Sequence, residues 1–438
     1  MQGRFYYRCG YFFAAADFIL KKILGTTVFF LLILGETVCP VYSAEPPGAD
    51  FSNIVPMIKT RDAVVVADAD GKILFSANAD RPLIPASILK ILTSLAALHY
   101  LGDDFRFITE FYMDDSANLT VKGYGDPLLI SEVLSQIACD MAGLLQITPE
   151  YCMNNRSINH LFLDDTYFMR SMKTPGVNDS VEPYDSPNGA LCANFNTVRF
   201  KRRGNTYVSA EPQTPLLPMT LPRIRKSGLT HGRILLSRNR RESTLYAGRL
   251  LAHFLRQQGV GIKGGIKTAG IKKNDRLLFR YTSHFPLSRI ISRLLEYSNN
   301  FIANQLLITI GIKAGSTPGS LAGGSCAVMD YASNCLGIKK LTMVEGSGIS
   351  RKNRLSAMDM IRVLQNFMPY RHLMQRRGNI IYKTGTLTGI STRAGYYEGG
   401  NGRVYLFVVM LNTPPARSAG DMVNVIRKCI EDSVPCPR

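Results

Sequence analysis

The sequence has no tryptophan and only six histidines among 438 residues, and its 33 acidic residues are outnumbered by 52 lysines and arginines. The histidines are scattered without a His-x-x-x-His pair, and no Cys-x-x-Cys occurs, so the usual zinc-ligand spacings are missing. No Gly-x-Ser-x-Gly elbow is present, which argues against a serine hydrolase built on a histidine base. Neither a metal nor an organic cofactor is expected. The formal charge of +19 is concentrated between Arg199 and Arg241, where Lys201-Arg202-Arg203, Arg225-Lys226 and Arg240-Arg241 face Glu211 alone. No aromatic interleaving or nucleic-acid motif accompanies these charges, so nucleic acid is not an expected partner. An anionic envelope polymer or lipid headgroup is the electrostatic alternative for segment 199–241, and a plain solvated surface the simpler one.

Long apolar runs are scarce too. The run from Ile23 to Leu34 is cut short by Glu36, too early for a comfortable membrane span. Arg4, Arg8, Lys21 and Lys22 precede it and Val41-Tyr42-Ser43-Ala44 follows, so residues 1–44 read as a secretory signal peptide, with an uncleaved anchor as the alternative. The expected location is the periplasm or cell envelope. Of nine cysteines, Cys9 and Cys39 fall in the leader. Sequence proximity in an oxidising compartment suggests Cys326 with Cys335, Cys429 with Cys436 and Cys139 with Cys152, leaving Cys192 as a buried thiol.

Three short boxes are present, in order: Ser87-Ile88-Leu89-Lys90, Ser298-Asn299-Asn300 and Lys383-Thr384-Gly385. Ser87 is the only serine with a lysine three residues on, and Lys-Thr-Gly occurs once; Ser-x-Asn occurs elsewhere and is weak alone. Each box falls on the element its chemistry requires. Ser87 follows a predicted hairpin over 61–78 and opens an apolar helix through Leu98, stopping near Gly102, so Lys90 lies one turn above the Ser87 hydroxyl. Flanking Ile and Leu side chains would desolvate the ammonium and leave an amine able to take the Ser87 proton. Ser298-Asn299-Asn300 joins a predicted helix over 287–297 to another over 301–310, placing Ser298 to relay a proton and Asn300 to hold Lys90 or a substrate amide. Lys383-Thr384-Gly385 ends an apolar strand beginning at Ile380. Gly385 would allow an extended substrate to approach as an added strand. Lys383, helped by the Thr384 and Thr386 hydroxyls, would hold a carboxylate, and the Ser87 and Thr386 amides would form an oxyanion hole.

The chain resembles the class C low-molecular-mass penicillin-binding proteins, the D-alanyl-D-alanine carboxypeptidase/endopeptidase family. Residues 85–98 are similar to that family's first box over its whole length. Gly123-Tyr124-Gly125-Asp126-Pro127, the segments 163–168 and 184–196, and Glu345-Gly346-Ser347-Gly348-Ile349-Ser350-Arg351 match further landmarks. The resemblance implies a serine peptidase acting on peptidoglycan stem peptides and acylated by β-lactam antibiotics, with Asp165 and Arg351 as candidates for contacting the stem's diamino acid. It implies a mixed α/β (α+β) fold: a serine β-lactamase/transpeptidase-like domain with an antiparallel sheet flanked by helices, plus a β-rich inserted region between the first and second boxes. The expected boundaries are 45–105 and 275–438 for the catalytic part and 106–274 for the insertion. Ser298 follows Ser87 by 211 positions (298 − 87), more than a compact β-lactamase core needs, and no Glu-x-x-x-Asn segment is found to position deacylating water. Val177 stands where the family often has tryptophan, and the stretch 199–270 looks short for a third small domain. A catalytically idle peptidoglycan-binding protein with the same fold is the rival reading.

Overall fold

The run Ala63-Val64-Val65-Val66-Ala67 is apolar without alternation because both of its faces are covered. In the computed structural model, which describes residues 49–400, 402–414 and 418–433, it forms the strand Asp62–Asp68. This strand lies inside a six-stranded antiparallel sheet, between Ile73–Ala77 and Val404–Leu411. The sheet continues through Ile390–Glu398 and Ile380–Leu387 to the short edge strand Gln375–Arg377. Side-chain alternation sends Ala63, Val65 and Ala67 to one face, with Leu406, Val408 and Met410, against the buried helices. Val64 and Val66, with Phe407 and Val409, meet Met422, Val423 and Ile426 of the C-terminal helix Ala419–Asp432 on the other.

The helix Leu89–Leu101 is buried over its first ten residues and is therefore apolar all round instead of amphipathic. It ends at Gly102, whose φ of 84° an L side chain would resist. Around it pack Leu287–Tyr297, Asn300–Lys313, Leu321–Leu336 and Ala357–Phe367.

The segment between the first two boxes builds a five-stranded sheet with its own core, covered by the helices Ser131–Leu145 and Arg240–Gln257. Its edge strand Arg276–Thr282 pairs with Ile108–Met113, so strand pairing carries this sheet beyond the expected boundary at 274. We accordingly place the return to the catalytic part after Thr282. A separate three-stranded sheet, Thr197–Arg203 with Thr206–Ser209 and His231–Leu235, has a small core of Val198, Phe200, Ile224 and Ile234. The shortness of 199–270 therefore does not remove a third small sheet.

The expected disulfides need correction. Cys326 and Cys335 share one helix nine residues apart, which separates them by about 13.5 Å along its axis, twice what a disulfide spans. Both are free and exposed, as are Cys139 and Cys152. Cys429 is buried, and its suggested partner Cys436 lies outside the described residues, as does the whole region 1–44. Cys192 is the buried free thiol expected, its acidity pushed to about 12 by burial.

Candidate active site

The peptide leading into the first box is held in an unusual shape. Ala86 adopts φ 49°, in the left-handed region, and Ala86–Ile88 forms a tight 3-10 turn ahead of the helix Leu89–Leu101. Strain at a non-glycine residue persists where surrounding contacts over-determine it. Here Thr392 Oγ1 donates to Pro85 O at 2.8 Å, pinning the turn to the sheet. Gly348, at φ 84°, lies directly behind it; a Cβ there would come 1.9 Å from Ala86 O. Ser87 is thereby set at the floor of a cleft of about 750 Å³, with Ser298 and Asn300 on one side and Thr386 and Leu387 on another.

Lys90 is fully buried and its Nζ meets three oxygens: Ser87 Oγ at 2.9 Å, Asn300 Oδ1 at 2.8 Å and Ser347 O at 2.6 Å. Two of these partners, an amide oxygen and a carbonyl, can only accept. A neutral amine has two N–H bonds for them and one lone pair, which is left facing the Ser87 hydroxyl. Burial holds the Lys90 ammonium well below its ordinary acidity range, the nearby Lys383 charge lowers it further, and Glu345 opposes both. Burial and the Lys383 charge thus favour the neutral amine, and the hydrogen-bond geometry accommodates it.

Glu345 is a residue the sequence reading assigned no role. Its buried carboxylate accepts from Ser347 N and Oγ, Gly348 N, Ser350 N and Asn353 Nδ2, at 2.6–3.2 Å. These bonds fold segment 345–353 into a rigid loop and aim the Ser347 carbonyl at Lys90. Thr93 and Asn304 fix the same loop by holding Gly346 O and N, each at 2.7 Å. The signals in the sequence were the resemblance of the segment from Glu345 to a family landmark and an acid amid small residues.

Ser298 ends the helix Leu287–Tyr297 in a left-handed conformation (φ 52°), which turns the chain sharply into Asn300–Lys313 and brings Ser298 and Asn300 to the cleft together. Asn300 holds Lys90 through Oδ1, while its Nδ2 donates to Tyr184 O at 3.3 Å.

The strand Ile380–Leu387 places Lys383 and Gly385 toward the Ser87 turn. Gln375–Arg377 pairs only with Ile380–Tyr382, so the outer edge of Lys383–Leu387 carries no strand. That edge is open to an added peptide. Lys383 is 3% exposed, has no carboxylate partner among the described residues, and donates to Thr384 O at 2.9 Å. Burial lowers its pKa to about 8. Thr386 lines the cleft; Thr384, two residues earlier on the same face of the strand, does not.

The remaining two candidates separate. Arg351 lines the cleft and donates to Thr388 O. Asp165 does not reach it: its carboxylate lies 3.1 Å from both Arg240 Nε and Thr244 Oγ1, and Arg240 in turn bonds the carbonyls of Asp165, Phe168 and Met169. Asp165 thus anchors the start of the helix Arg240–Gln257. No group of three or more potential metal ligands occurs among the described residues.

The sequence model of the D-Ala-D-Ala carboxypeptidase 3 (S13) family matches residues 55–220, 230–375 and 368–428. A D-alanyl-D-alanine carboxypeptidase of an Actinomadura species is 25% identical over 415 residues, covering 79% of this chain and 76% of the relative. D-alanyl-D-alanine carboxypeptidase DacB of Haemophilus influenzae is 23% identical, covering 80% and 84%. The crystal structure of penicillin binding protein 4 from Haemophilus influenzae is similar in fold, with a TM-score of 0.68 at 20% identity, covering 87% of this chain and 98% of that one.

Proposed function

The chain belongs to the D-Ala-D-Ala carboxypeptidase 3 (S13) family of serine-type carboxypeptidases, and within that activity we propose that Ser87 is the nucleophile and neutral Lys90 its base. The substrate is a peptidoglycan stem peptide ending in D-Ala-D-Ala, laid along the open edge of Lys383–Leu387. Ser87 Oγ attacks the penultimate D-alanine carbonyl as its proton passes to Lys90 Nζ. The oxyanion sits between the Ser87 and Thr386 amides, where fixed dipoles need no reorganisation. Lys90 returns the proton through Ser298 to the departing D-alanine nitrogen, while Lys383 holds the carboxylate. Water then cleaves the ester. In a β-lactam the nitrogen stays tethered after ring opening, so the adduct persists and marks Ser87.

The contact of fully buried Lys90 Nζ with Ser87 Oγ at 2.9 Å carries this reading, because it sets a desolvated amine against the hydroxyl it would deprotonate. A fluorescent penicillin tests it: wild type is labelled one to one and Ser87→Ala is not. Folded wild type that takes no label would instead support an idle binder, and rapid drug turnover would support a β-lactamase. Export to the periplasm or envelope fits cell-wall substrates, and no helix among the described residues is long and apolar enough to cross a membrane. The exposed Lys201, Arg202 and Arg203 offer a surface to anionic envelope polymer; attraction of this kind weakens with salt.

A further inference from the structure

Beyond Ser298 a second cavity of about 770 Å³ opens from the catalytic cleft, sharing Tyr184, Ser298 and Asn300 with it. Four arginines line it, in two like-charge pairs. Arg289 and Arg293 lie one turn apart on the helix that ends at Ser298, and Arg199 stands directly opposite Arg233 in antiparallel register. Like charges at either spacing oppose folding. Glu211 offsets Arg233 and Glu296 offsets Arg293. Arg199 and Arg289 are exposed and have no carboxylate partner among the described residues. Glu132 also lines the cavity, so two acidic residues face four basic ones. The wall is rigid: Asn194, Phe195 and Asn196 are all left-handed, at φ 49°, 58° and 54°. Asn194 is fixed through Ser131, and Phe195 packs against Phe301 with ring centroids 6.1 Å apart.

We infer that this cavity is an anion-binding subsite for the second stem peptide of a cross-linked substrate, with Arg199 and Arg289 holding its free carboxylates. The inference rests on the proposed roles of Ser87 and Ser298. The acyl arm of the substrate is accommodated along Thr386–Thr388 beside Arg351, so the leaving arm departs past its proton donor, Ser298. When the leaving group is a single D-alanine nothing reaches the cavity. When it is the D-amino-acid centre of a second peptide, the chain attached to it enters the space lined by Arg289 and Arg199. The bond broken is the amide joining the two peptides; the ester forms on Ser87 Oγ, the Ser87 proton ends on the released amine, and water then hydrolyses the ester.

The test uses purified monomeric pentapeptide and cross-linked dimeric muropeptides with wild type, Arg289→Ala, Arg199→Ala and the double variant. Dimer cleavage should lose on the order of tenfold in kcat/KM per arginine, the loss expected for a charge-assisted bond, chiefly through KM. Release of D-alanine from the monomer and penicillin labelling should stay within about twofold, which also certifies the fold. Equal losses on monomer and dimer, or a double variant that cleaves dimer like wild type, would overturn the subsite. Wild type that trims monomer but leaves dimer intact overturns it too, while sparing the carboxypeptidase. Wild type inert to monomer, dimer and penicillin would instead overturn the roles assigned to Ser87 and Lys90.

Discussion

Substituting Gly385 by alanine probes the packing that creates the oxyanion hole. A Cβ built there lies 2.3 Å from Thr392 Oγ1, 2.7 Å from Ser87 N and 3.0 Å from Ala86 Cβ. The Ser87 contact is the decisive one, since that amide belongs to a turn pinned by Thr392 and backed by Gly348 and cannot rotate aside as a side chain can. Reaching ordinary contact distance requires the strand to retreat by about 0.7–1 Å, which takes the Thr386 amide away from the oxyanion. Losing one such donor costs about 10²–10³ in rate, and the overpacking itself about 1–3 kcal/mol of stability. The assay is the second-order rate of acylation by a fluorescent penicillin, read beside the melting temperature. Gly385→Ala should acylate about 10²-fold more slowly or worse. Adding Thr392→Ala should relieve the nearest clash and recover part of the melting temperature without restoring the rate. A folded Gly385→Ala enzyme acylated within about threefold of wild type would refute the reasoning.

Further expectations concern the two lysines, the buried acid and the thiols. Lys90→Met should slow acylation by about 10²–10⁴ while leaving reversible, non-covalent ligand binding measurable by calorimetry. Activity should be bell-shaped in pH. Lys90 must be neutral, so kcat/KM is lost as pH falls through its lowered pKa; Lys383 must be cationic, so it is lost again as pH rises through about 8. Lys383→Met removes a charge that keeps Lys90 neutral and should move the acidic limb of penicillin acylation to higher pH; an unmoved limb would show that the two do not communicate. Glu345→Gln replaces an acceptor of five bonds by a group with two donors of its own and should lower stability by about 2–3 kcal/mol in denaturant titration. Cys139, Cys152, Cys326 and Cys335 should all react with maleimide in the folded, unreduced protein, as mass spectrometry would reveal.

The boxes were legible because their function is local or depends on residue type: Lys90 is bound to Ser87 by helix pitch alone, and Gly385 by the need for an absent side chain. The hairpin over 61–78 was legible locally, and the antiparallel sheet it joins came from the resemblance. Contacts made by backbone atoms far apart in sequence were not. Nothing in residues 345–353 announces that the Ser347 carbonyl reaches Lys90, because carbonyls leave no compositional trace. The pairing of Asp165 with Arg240 was hidden for a related reason: Arg240 is remote, and the pair Asp164-Asp165 does not say which acid faces where. Asp164 instead caps its own turn, accepting from Thr166 N at 2.9 Å. The Cys326–Cys335 pair failed because nearness in sequence becomes distance once the segment is helical, and the membership of Arg276–Thr282 was not legible because pairing with Ile108–Met113 is a choice between two sheets that strand propensity cannot make.

The most direct measurement is the protonation state of Lys90 itself, by NMR of the protein carrying lysine labelled at Cε and Nζ, with the resonance assigned by its loss in Lys90→Met. The account predicts a neutral amine at pH 7 that becomes an ammonium only on acidification, in step with the loss of penicillin acylation. An ammonium signal at pH 7 that persists toward pH 10, with acylation undiminished, would contradict it.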